Sequence, residues 1–121
     1  MRIKSDVANM IVLKTPDGKK VVVNRNTDER LYKAPENINI GVDTTRGTDL
    51  YRHVSRKGYV YYYFYRWSMW QGETCDYQLI SEEEAIEFLL EKAGLSYPLG
   101  LSDSESKRAA ELFPDIFVED A

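Results

Sequence analysis

The chain has 121 residues, 43% of them apolar, and a formal net charge of −4. That length fits one domain able to bury a real core, so residues 1–121 are expected to fold as a single unit. A single cysteine, Cys75, excludes an internal disulfide framework, and no apolar run approaches the ~20 residues needed to span a bilayer.

The charge is unevenly spread. Residues 1–43 carry an excess of two positive charges, residues 44–70 an excess of four, and residues 71–121 an excess of ten negative ones. Such asymmetry marks either a face that binds a polyanion or an acidic half that neutralises a basic one. The first residues, Met1-Arg-Ile-Lys-Ser-Asp6, are charged and lack the apolar stretch of a signal peptide. With one free thiol, this sets the expectation of a cytoplasmic protein away from the membrane.

Residues 7–24 read as a β-hairpin about Thr15-Pro-Asp-Gly18. Proline presets the first turn position, Asp17 bonds within the turn, and Gly18 takes the positive φ. Pairing Thr15 with Lys19 sets Leu13 opposite Val21 and Ile11 opposite Val23, with Val12 and Val22 on the other side. Both faces are apolar, so the hairpin is expected to be buried on both sides or to pack on another chain. Residues 25–35 are polar and read as a connection. Ile38, Ile40 and Val42 alternate with polar residues and glycine, which predicts a short strand.

The centre of the chain is Gly58-Tyr-Val-Tyr-Tyr-Tyr-Phe-Tyr-Arg-Trp-Ser-Met-Trp70. Aromatic and β-branched residues favour strands, and this run is too aromatic for a sheet edge. It reads as the middle strand of a meander, flanked by residues 48–55 and 73–80. Two-residue turns at Lys57-Gly58 and Gln71-Gly72 would set Tyr51 opposite Phe64, His53 opposite Tyr62 and Phe64 opposite Leu79. Tyr61, Tyr63, Tyr65 and Trp67 then line the other face beside Arg52, as an aromatic platform with a polar rim. A three-residue turn at residues 56–58 would slip one strand by a residue and swap its side chains between faces.

Ser81-Glu-Glu-Glu84 and Ser102-Asp-Ser-Glu105 are capping boxes that open two C-terminal helices. The first should end at Gly94 and bury Ile86, Leu89, Leu90 and Ala93, with Phe88 off that stripe. The second should end near Pro114, leaving an apolar tail at residues 115–118 that must dock. Strands first and helices last predict an α+β fold with a mainly antiparallel sheet.

The chemistry on offer is sparse. His53 is the only histidine, which excludes a multi-histidine metal centre, and a Cys75–His53 dyad would need partners brought from separate strands. The glutamates around residues 82–91 read as the solvated face of a capped helix rather than a cation site. No phosphate-binding or dinucleotide glycine motif is present, and no cofactor or metal is implied. The sequence therefore points to a protein-interaction or self-associating module without evident catalysis, acting as a homo-oligomer or with a protein partner. The alternative is single-stranded nucleic-acid binding through Tyr61, Tyr63, Tyr65, Trp67 and Arg52, with bases stacking on rings and arginine meeting phosphate.

Overall fold

The computed structural model describes residues 9–118, so the expected start of the first strand at Val7 and Ala8 lies outside the described residues. Strands β1 (Met10–Lys14) and β2 (Lys20–Asn24) form a two-stranded sheet. Strands β3 (Glu29–Tyr32), β4 (Arg46–Val54), β5 (Val60–Ser68) and β6 (Asp76–Ile80) form a four-stranded antiparallel meander in that order. Helices α1 (Glu82–Ala93), α2 (Asp103–Leu112) and α3 (Pro114–Phe117) follow. The α+β class with a mainly antiparallel sheet is as the sequence implies.

The first hairpin has the expected register, with Leu13 opposite Val21 and Ile11 opposite Val23. In its loop the Thr15 amide donates to the Lys19 carbonyl at 2.9 Å and the Gly18 amide to the Thr15 carbonyl at 2.9 Å. The Lys19 amide donates to the Thr15 hydroxyl at 3.0 Å. The loop between β4 and β5 repeats this pattern: Ser55 amide to Tyr59 carbonyl, Gly58 amide to Ser55 carbonyl, and Tyr59 amide to Ser55 hydroxyl. Gly18 and Gly58 take φ of 85° and 87°, which glycine adopts without steric cost. Both are three-residue hairpin loops ending in a left-handed glycine.

That second loop corrects the register of the meander. Leu50 pairs with Phe64, Tyr51 with Tyr63 and His53 with Tyr61. On the other flank, β6 joins β5 through the seven residues 69–75 rather than a two-residue turn, and Tyr63 pairs with Leu79. Both outer strands are slipped by one residue from the expected pairing. A one-residue slip exchanges faces, so Tyr51, His53, Leu79 and Tyr77 join the odd-numbered rings of β5.

Two further expectations are corrected. The polar connection contains β3, which makes the meander four-stranded. Residues 38–42 form no strand; Ile38 and Val42 are exposed, and the segment is held by Thr44, whose hydroxyl donates to the Ile38 carbonyl and accepts from the Ile38 amide.

The core has two layers, one on each face of the meander. Tyr32, Leu50 and Tyr62 pack with Ala85, Leu89, Ala109 and Phe113 from the helices. On the opposite face Tyr51 and Tyr63 pack under Val21 and Val23 of the hairpin, with Ile11 and Leu13 beside them. The hairpin thus buries its odd-numbered side only. Met10, Val12 and Val22 are exposed on the other side, so of the two expected arrangements the hairpin is not buried on both sides within its own chain.

Both capping boxes form. α1 buries Ala85 and Leu89 and turns Phe88 inward onto Tyr32 and Phe64, with ring centroids 5.4 and 4.9 Å away. Leu90 and Ala93 are exposed, so the buried stripe is rotated from the one expected. The aromatic sheet surface explains the rotation, because it offers Phe88 ring partners that Leu90 would not use as well. Phe117 of α3 packs against the core, while Ile116 and Val118 stay exposed.

Candidate functional site

Tyr61, Tyr63 and Tyr65 of the expected platform share the hairpin-side face, as alternation along a strand requires, whereas Trp67 packs against the helix-side core, and the hairpin-side face is largely taken. Tyr63 is fully buried and stacks on Tyr51 at 5.3 Å. Arg25, from the loop after β2, lies 3.9 Å over the Tyr65 ring and donates through Nε to the Tyr77 hydroxyl at 2.7 Å. Burial pushes the Tyr65 phenol up to about 12. Trp67 folds across β4, where Gly47 leaves room: a Cβ there would clash with the indole. The indole Nε1 donates to Asp49 at 3.1 Å. Tyr61, half-buried, sits beside His53 with ring centroids 6.4 Å apart.

Arg52 lies on the opposite face, among the helix-side residues. Its guanidinium is 3.6 Å from Glu29, which also receives two hydrogen bonds from Arg108 of α2. The register slip separates Arg52 from the three tyrosines, so the structure does not bring the five expected residues together. Arg46 pairs with Asp43 and Glu73, and Arg66 with Asp76. These arginines are engaged within the molecule.

An open feature is a cleft of about 810 Å³ lined by the first hairpin, mainly β2, and by the loop between β4 and β5. Two adjacent basic pairs, Lys19-Lys20 at the junction of the first loop with β2 and Arg56-Lys57 in the second loop, line it. Met10, Val22, Val54 and Tyr59 line it too, each between 46 and 62% exposed. Among the described residues, Lys20, Arg56 and Lys57 make no ion pair, and Lys19 meets only Asp17, at 3.7 Å across the exposed loop. The cleft is therefore cationic and apolar at once, and three of its four basic side chains have no ion-pair partner among the described residues.

His53 and Asp28 also line the cleft. The Asp28 carboxylate is 2.7 Å from His53 Nδ1 and accepts from the Tyr63 hydroxyl at 2.7 Å and the Asn24 amide at 2.9 Å. Burial and this hydrogen bond to a carboxylate hold the Tyr63 phenol far above its usual range. The network ties the turn after β2 to β4 and β5. Cys75 is exposed just before β6. Asp76 pairs with Arg66 and His53 with Tyr61, so the two positions lie about five residues apart along β5, on the order of 17 Å.

Sequence reasoning reached Tyr61 but missed Lys19, Lys20, Arg56, Lys57, Met10, Val22 and Tyr59 as members of one surface. A signal was present: a Ser or Thr, two residues, a glycine and then the returning strand, twice, each with an adjacent basic pair. Among the described residues no group of His, Cys, Asp and Glu has the arrangement of a metal site, and no helix is long and apolar enough to cross a membrane. Comparison with protein-family models, with curated proteins and with solved structures found no match.

Proposed function

We propose that the protein is an interaction module that binds a partner protein through the cleft between its first hairpin and the loop joining β4 to β5. The partner segment is acidic and apolar. The observation that supports this is the lining: three cationic side chains without a described ion-pair partner, and Lys19 paired only with exposed Asp17, beside the aliphatic groups of Met10, Val22 and Val54. An acidic peptide with apolar side chains satisfies both, since desolvated aliphatic contact adds to charge complementarity. Nucleic acid fits less well. Bases need exposed rings, yet Tyr63 is buried, Tyr65 lies beneath Arg25, and Tyr59 is the only strongly exposed ring in the lining.

The test is an anisotropy titration with two labelled probes of equal charge, a peptide of alternating glutamate and leucine and a single-stranded oligonucleotide. The peptide should bind more tightly and weaken with salt, because the contacts are exposed charges. K20E/K57E should weaken it roughly tenfold or more, given several rim charges each contributing up to about 1 kcal/mol. Tighter oligonucleotide binding, lost in the same variant, would transfer the cleft to the nucleic-acid reading. No peptide binding at low salt would overturn the proposal.

A further inference from the structure

The outer face of α1 has the chemistry that the cleft lacks. Glu83, Glu87 and Glu91 repeat every four residues and are exposed, with Leu90 exposed beside them. At ~1.5 Å rise per residue the three carboxylates span about 12 Å. Residues 71–121 hold the excess of ten negative charges, whereas the cleft collects Lys19, Lys20, Arg56 and Lys57. The two surfaces cannot meet within one molecule. α1 is pinned through Ala85 and Leu89 to the Tyr62 face of the meander, and the hairpin that forms the cleft covers the Tyr63 face.

Resting on the reading of the cleft as a site for an acidic, apolar protein segment, we propose that its occupant is α1 of a second copy of this chain. Glu83, Glu87 and Glu91 would meet the two basic pairs, and Leu90 would pack on Val22 and Val54. The acidic half of the sequence then neutralises the basic one between molecules rather than within them. Because cleft and helix are different patches, the contact is head-to-tail; it closes into a ring if the rotation permits and otherwise extends as a chain.

Sedimentation of the full-length protein at low and high salt tests this. Wild type should exceed its 14.0 kDa monomer mass at low salt, increasingly so with concentration, and fall toward it as salt is added. K20E/K57E and E87K/E91K change only exposed side chains, and each alone should sediment as a monomer. Mixed together, the two variants should regain assembly, because each then offers what the other's altered patch requires. A monomeric wild type at low salt, unchanged assembly in either variant, or a mixture that stays monomeric would each overturn the inference. The outcomes separate the two claims: if the wild type is monomeric while the glutamate–leucine peptide still binds, only the second-copy occupant falls. If the peptide fails as well, the reading of the cleft falls with it.

Discussion

Asp49 shows how a single residue sets the shape of the sheet. It is buried, and one carboxylate oxygen accepts from both the Ala34 amide at 2.8 Å and the Trp67 indole at 3.1 Å. It thereby holds the loop after β3 and the end of β5 together across β4. Burial raises its pKa above the ordinary carboxyl value, although the two donors work against that rise. A raised carboxyl pKa means that the folded state binds the proton more tightly, so this group's contribution to stability falls as pH rises through the folded pKa. Asp49→Asn keeps an oxygen for both donors and removes the charge. Urea unfolding over a pH series should show the variant gaining on wild type as pH rises, with no such drift below about 3.9. Asp49→Ala leaves two buried donors without a partner and should cost about 2–3 kcal/mol at neutral pH. A variant that loses ground with rising pH would contradict this account of Asp49.

At the scale of the element, the two hairpin loops decide which rings become core. Alternation along β5 was legible from the sequence, because side-chain period is a property of any strand. The partners of those rings were not. They depended on whether the turn at residues 56–58 holds two residues or three, and a glycine after a basic pair suits either. The first hairpin was read correctly because Thr15, Pro16 and Asp17 specify its loop, whereas Ser55-Arg-Lys-Gly58 shares only the hydroxyl and the glycine. β3 was hidden for a different reason: Glu29-Arg-Leu-Tyr32 is a short edge strand, charged for half its length and broken by a register shift between Arg30 and Tyr32. α1 was legible in its ends, through its capping box, but not in its rotation. Leu89 and Leu90 are adjacent leucines of opposite fate, one about 1% exposed and the other 46%. Leu89→Ala should cost ~2–5 kcal/mol, while Leu90→Ala should change stability by no more than about 0.5 kcal/mol. Thermal or urea unfolding of both variants checks the assignment, and equal losses would contradict it.

At the scale of the molecule, hairpin, meander and helices stack so that both aromatic faces of the central strand are covered without a second subunit. The expected aromatic platform is thus mostly core, and the sequence could not show this, since the cover comes from a hairpin some forty residues earlier. What stays open is the end where β2 of the first hairpin and the loop between β4 and β5 line the cleft. Amide-resolved NMR of the protein during titration with the glutamate–leucine peptide examines that end most directly. Shifts should concentrate at Lys19, Lys20, Val22, Arg56, Lys57 and Tyr59, leaving Arg52, Glu29 and Arg108 on the helix side unmoved. Shifts centred on the helix side, or scattered without relation to the cleft, would contradict the account.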